Sequence, residues 1–338
     1  MAAEQAPLLE GMVGIPPAPF ASALSPGEPS GQRLPQAIAH RGYKAAYPEN
    51  SMGAFRGAVA VGSRAVETDL HLSKDGVVVL SHDATLERCF GRKEKIAACD
   101  WSYLRGLRTT RAPHEAMPRL VDLLAYLAQP GLEDIWVLLD VKRDDDPDEI
   151  MGRTAAAIAS VPASRPWRDR IVVGCWNAPY IELCKEYLPG FPVAFIGWSL
   201  LYASKFLREP NVNFNLIQQA LAGPCGTRFM AAAHRAGRSV FAWTVNEEEW
   251  MEWCIRKGVD GVITDDPKLF LEVCERWCGE AGKAAGDDRR GGARPSALRR
   301  VRQFTAVVIV QLLATLMTGL LFYKSGVMER KRRRKMRS

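Results

Sequence analysis

Between Leu34 and about Cys278, short apolar runs alternate with stretches of helical periodicity. The runs count out to eight, centred on Ile38, Val66, Val137, Val172, Ala194, Phe214, Phe241 and Val262. Strands that alternate with helices imply a parallel sheet with both faces covered. Eight such units over roughly 245 residues match the size of a (β/α)8 barrel. The expected class is therefore α/β, a (β/α)8 TIM barrel over residues 34–278. A further strand-like run from Gly76 to Ser81 reads as an excursion from the second βα connection. The sixth run, around Phe214, carries the weakest strand signal.

The flanks differ in composition. Residues 1–33 are rich in Pro, Ala, Gly and Ser and hold no Lys or Arg before Arg33, so neither a secretory signal nor a transit peptide is expected, but a disordered leader. Residues 279–303 turn to Gly, Ala, Asp, Arg and Pro, a linker signature. Phe304 to Tyr323 then runs for twenty residues without a charge, long enough as a helix to cross a hydrocarbon core of about 30 Å. The sequence thus predicts a C-terminal transmembrane helix over 304–323 and a basic tail over 324–338.

The net charge of +7 follows from this tail, since eight Lys and Arg residues lie between Lys324 and Arg337. Nucleic acid is not implied, and nothing calls for an obligate protein partner. The barrel is expected on the cytosolic side, tethered to a mitochondrial, endoplasmic reticulum, peroxisomal or lipid-droplet membrane. Basic residues flank both ends of the apolar run, so charge does not choose its orientation. Eight cysteines without CxxC spacing fit a reducing compartment, and Cys274 with Cys278 lacks the partners a zinc site needs.

In a barrel of this kind, chemistry sits at the C-terminal ends of the strands. Polar residues interrupt those ends in step: His40-Arg41 after the first run, Glu67 and Asp69 near the end of the second, Asp140 and Lys142 at the end of the third. Glu67 and Asp69 are two apart, so they share a strand face, and Asp140 on the next strand can converge on them. Three carboxylates in one barrel mouth repel unless a cation compensates, which predicts a hard divalent ion, Mg²⁺ or Ca²⁺. His40 and His82 are the natural proton-transfer pair. Arg41 offers a planar fork to phosphate oxygens and Lys142 a point charge. His71 shares the face of Asp69 but lies further along, and it is read with His114 and His234 as structural.

These residues, in this order, resemble the glycerophosphodiester phosphodiesterase family. The opening pattern is AHRGYKAAYPENSMGAF (Ala39 to Phe55) followed by ETDLHLSKDGVVVLSHDATLER (Glu67 to Arg88). The closing strands carry FAWTVN (Phe241 to Asn246) and GVDGVITDDP (Gly258 to Pro267), and the resemblance covers about residues 36–275. It implies a (β/α)8 barrel, with His40 and His82 as general acid and base, Arg41 and Lys142 as phosphate ligands, and Glu67, Asp69 and Asp140 as metal ligands. Trp243 matches the aromatic wall of the substrate cleft. Most members carry Glu at the position of Asp140, so the third ligand is a methylene shorter, implying a tighter, Mg²⁺-like shell or one bridged by water. Within the family, the short loop excursion, Asp140 and the membrane-spanning C-terminus together make the chain look most like the fungal phosphatidylglycerol phospholipase C group. The expected substrate is then a glycerophospholipid, phosphatidylglycerol, cleaved to diacylglycerol and glycerol 3-phosphate. The alternatives are a phosphodiesterase of soluble deacylated phospholipids and an inert membrane-bound lipid-binding scaffold.

Overall fold

The alternation of apolar runs with helices closes into a ring. A computed structural model of the chain describes residues 14–24 and 33–284. Its strands are β1 (Gln36–His40), β2 (Ala65–Leu72), β3 (Val78–Leu80), β4 (Trp136–Val141), β5 (Ile171–Cys175), β6 (Val193–Gly197), β7 (Asn213–Ile217), β8 (Val240–Trp243) and β9 (Gly261–Thr264). All except β3 are parallel to their neighbours, and β1 pairs with both β2 and β9, so eight parallel strands form a closed barrel. Every one of the eight expected strand centres falls inside an observed strand, including the weak run at Phe214. Strand β3 lies antiparallel to β2, as an excursion would.

Side chains alternate across the ring, and the two faces bury different things. The outward set, including Ala37, Val66, Leu139, Val173, Phe195 and Phe214, packs under the helices in the larger core. The inward set, including Ile38, Leu138, Val172, Ala194, Phe241 and Ile263, fills the barrel itself. Continuing the inward positions to the C-terminal ends of β1, β2 and β4 gives His40, Glu67, Asp69 and Asp140. The barrel mouth is ionic on this arc because these three strands change character on their inner face only.

Helix starts are set by local chemistry. Ser51, Asp146 and Asn177 each accept a hydrogen bond from the backbone N–H three residues on, at the heads of helices Met52–Ala60, Pro147–Ala159 and Ala178–Tyr187. The last two carry proline in the first turn, where its missing N–H costs nothing.

Two expectations at the flanks are corrected. The leader was expected to be disordered over 1–33, but residues 14–24 close the bottom of the barrel. Ala18 and Ala21 join the inner core, and the Phe20 ring meets Trp136 edge-on at 5.8 Å. Buried Gln36 donates to the carbonyls of Phe20 (2.8 Å) and Ser22 (2.7 Å) and accepts from the Trp136 indole (2.9 Å). An open barrel bottom exposes apolar side chains, and a short, sparsely apolar segment is enough to cover them. The linker was expected from 279, but helix Pro267–Ala284 runs past that point. The transmembrane helix expected at 304–323 and the basic tail lie outside the described residues. Among the described residues no helix is long and apolar enough to cross a membrane.

Candidate active site

The backbone makes the site by turning sharply at the top of β1. Arg41 (φ 57°) and Gly42 (φ 78°) both take left-handed conformations. A Cβ at residue 42 would come within 2.7 Å of Ala54, so only glycine lets the turn pack on helix Met52–Ala60. The turn is fastened by the Arg41 N–H, which donates to Glu67 Oε2 at 2.9 Å. It leaves His40 at the strand end and swings the Arg41 guanidinium over the barrel mouth.

Strand register does the rest. His40 sits opposite Glu67 across β1 and β2, and Asp69 sits opposite Asp140 across β2 and β4. Glu67, Asp69 and Asp140, all buried, bring ligand atoms within 4.8 Å of one another. Burial, then the charges of Asp69 and Asp140, push Glu67 well above the ordinary carboxylate range. Burial raises Asp140 also. Asp69 moves the other way: burial opposes its ionisation, but the cations of Lys142 and Arg41 outweigh it and hold the group ionised. Lys142 Nζ sits 2.6 Å from both Asp69 and Asp140 and is kept protonated by them despite its burial. An all-oxygen cluster in which two of three acids resist ionisation fits a hard divalent cation, which would hold all three deprotonated.

Each candidate histidine is backed by a carboxylate. His40 Nδ1 lies 2.6 Å from Asp265 Oδ1, and His82 Nδ1 lies 2.8 Å from Asp83 Oδ1. Fixing Nδ1 leaves Nε2 of each ring for the cavity. Burial lowers the His40 pKa, with the bond to Asp265 pulling against it. For Asp265, burial is outweighed by the hydrogen bond and charge of His40 and by Lys44, and its pKa falls to about 2.

The cavity that these side chains line also includes Arg41, Trp176, Asn215 and Trp243. All eight residues expected from the sequence, His40, Arg41, Glu67, Asp69, His82, Asp140, Lys142 and Trp243, face this one space. Two polar atoms in its wall are buried without a hydrogen-bond partner: Arg41 Nε, which is 3.3 Å from Asp69 but misaligned for a hydrogen bond, and Asn215 Oδ1. A neighbouring cavity of about 530 Å³ shares Lys142 and Trp176 and is walled by Trp198 and Asn177.

A family model described as the glycerophosphoryl diester phosphodiesterase family matches residues 40–269. The chain belongs to that family. Among relatives of this family, a probable glycerophosphodiester phosphodiesterase of Mycobacterium tuberculosis is 29% identical over 256 residues, covering 70% of this chain and 89% of its own. A glycerophosphodiester phosphodiesterase of Caldanaerobacter subterraneus is 25% identical, covering 71% of this chain and 97% of its own. The barrel is similar to that of an Oleispira antarctica phosphodiesterase solved with the product sn-glycerol-3-phosphate, with a TM-score of 0.63 at 21% identity, over 72% of this chain and 97% of that one.

Several residues of the site were not foreseen from the sequence. Asp265 belongs to the matched GVDGVITDDP stretch, but nothing local ties it to His40, 225 positions away. Trp176 donates its indole N–H to Asp140 Oδ1 at 2.6 Å, fixing the shorter acid of the cluster. Asn50, left-handed at φ 52°, donates to Asp69 at 2.8 Å and accepts from Thr68. His71, read as structural, lies within β2 and is not among the residues that line the cavity. Its Nδ1 meets Asp145 at 3.0 Å, and its Nε2 lies 3.4 Å from the carbonyl of His82. His114 and His234 are tied to the Thr109 carbonyl and to Asp260. The eight cysteines are all free.

Proposed function

We propose that this protein hydrolyses water-soluble glycerophosphodiesters, releasing glycerol 3-phosphate and an alcohol. The observation that carries the reading is the pairing of two carboxylate-backed histidines with one cavity whose wall holds a three-acid cluster and an arginine nitrogen that makes no hydrogen bond. The product seen in the Oleispira antarctica relative supports it.

In the proposed reaction the free 2-hydroxyl of the glycerol arm loses its proton to Nε2 of His40. Its oxygen bonds to phosphorus as the bond to the second alcohol breaks. Nε2–H of His82 gives its proton to the departing alkoxide, and water then opens the cyclic phosphate with the two roles reversed. The low pKa of His40 suits the base. An attacking group held inside the substrate is already in place, an advantage that can reach about 7 kcal/mol. Arg41 and Lys142 would take the phosphate oxygens. A Mg²⁺ or Ca²⁺ ion held by Glu67, Asp69 and Asp140 would supply charge that offsets the build-up on those oxygens. The second alcohol would pass into the neighbouring cavity between Trp176 and Trp198.

A second reading is favoured by the uncharged run 304–323: a membrane-anchored enzyme of the fungal phosphatidylglycerol phospholipase C kind, acting on phosphatidylglycerol. The full chain, assayed on soluble glycerophosphodiesters and on phosphatidylglycerol vesicles with product identification, separates the two. Glycerol 3-phosphate formed faster from soluble diesters supports the first reading. Diacylglycerol as the dominant product overturns it in favour of the second.

A further inference from the structure

Asn215 stands on the inner face of β7, 4% exposed, with its carbonyl oxygen in the wall of the catalytic cavity and no hydrogen-bond partner. A buried amide oxygen left unpaired costs free energy, so its position asks for a partner that arrives with the ligand. Its neighbours offer none. Ile196 and Phe241 flank it in register on β6 and β8, and the Trp243 indole N–H is used on the backbone carbonyl of residue 215, at 3.0 Å, not on the amide.

Its place in the ring identifies the partner. The acids and cations that would engage phosphate come from β1, β2, β4 and the segments that follow them. Asn215 comes from β7, on another arc of the barrel. A glycerophosphodiester that lays its phosphate on Arg41 and Lys142 and its 2-hydroxyl by the histidines directs its remaining free group, the terminal primary hydroxyl, away from that cluster. We propose that the Asn215 side chain is the subsite for this terminal hydroxyl, with Oδ1 accepting its proton, and that the residue sets selectivity for glycerol over alcohols that lack the group. The proposal rests on the glycerophosphodiester reading above.

The test compares two soluble diesters of one leaving alcohol: one with a glycerol arm, the other with a propane-1,2-diol arm that keeps the attacking 2-hydroxyl and lacks the terminal one. Wild-type enzyme is expected to prefer the glycerol diester in kcat/KM by roughly 10- to 100-fold, because the analogue leaves the buried carbonyl unpaired. In Asn215→Leu and Asn215→Ala the preference should collapse to within about threefold, mostly through loss on the glycerol substrate. Inhibition by glycerol 3-phosphate against propane-1,2-diol phosphate gives the same comparison without turnover, and thermal denaturation verifies that each variant is folded. Equal wild-type rates on the two diesters, or a preference that survives in both folded variants, overturns the proposal and leaves an amide satisfied by water alone. A wild-type enzyme that cleaves neither diester and binds neither product overturns the glycerophosphodiester reading and this proposal with it. Inactivity toward both, with glycerol 3-phosphate bound selectively and the selectivity lost in the variants, overturns that reading and upholds the subsite.

Discussion

Arg88 holds Glu49 with both of its terminal nitrogens, at 2.7 and 2.8 Å. The same guanidinium donates through Nε to Asp83 at 2.7 Å, and Asp83 in turn holds His82. Glu49 on its other side accepts from Arg41. One exposed arginine thereby sets the spacing between a candidate acid and a candidate phosphate ligand. Arg88→Ala is expected to lower kcat by roughly tenfold and, because it strips a bidentate partner from the largely buried Glu49, to cost about 2 kcal/mol of stability. Steady-state kinetics beside urea denaturation tests both effects, and a variant with full kcat contradicts the positioning role.

His40 and Asp265 are expected to set the acid limb of activity. His40 is neutral below the usual histidine range because burial penalises its charged form, and Asp265 partly opposes that. Protonation removes the base, so kcat/KM should fall as pH drops through a value below 6.5. In Asp265→Asn the opposing charge is gone, the His40 pKa falls further, and the limb should move to lower pH while the maximal rate drops. His40→Ala and His82→Ala should each lose about 10²- to 10⁴-fold in kcat. Full pH profiles of all three variants check this, and near-normal turnover in both alanine variants refutes the roles.

The three-acid cluster should respond to divalent ions whether or not substrate is turned over. Mg²⁺ or Ca²⁺ at about a hundred times its dissociation constant stabilises the folded chain by about 2.7 kcal/mol. The gain should shrink as pH falls, because the raised carboxyl of Glu67 must give up its proton to bind an ion. Asp140→Asn should abolish the shift. Thermal denaturation with and without each ion, after chelator treatment, measures it, and a melting temperature indifferent to both ions argues against the cluster as a metal site.

At the opposite end of the barrel the expected effect is on stability alone. Gln36→Leu strands the Trp136 indole N–H and the carbonyls of Phe20 and Ser22 in a buried layer, which should cost about 3 kcal/mol and lower the melting temperature by roughly 8 °C. kcat should stay within about twofold, since the bottom face of such a barrel bears on stability rather than chemistry. A large kcat loss in a folded variant would show that the bottom layer communicates with the mouth.

The ring and most of the candidate site were legible before folding, because both are written in local spacing. Eight apolar runs and their helical intervals need only neighbours along the chain to be read. The two-residue period that put Glu67 and Asp69 on one face also carried His40 and Asp140 to the barrel mouth. What the tertiary structure decided are relations between distant segments. Closure of β9 onto β1 brings Asp265 to His40, and no periodicity links two residues that far apart. Asn215 lies in the run NFNLI, which reads as part of a buried strand, and only the closed barrel distinguishes its inner position from the outer ones and shows its carbonyl without a partner. The segment around Phe20 holds too few apolar residues to predict a packed element, and it becomes one because a closed barrel has a bottom to cover. Local patterns depend on the chain's own geometry, whereas partners for buried charge and buried surface depend on which strands the ring makes adjacent.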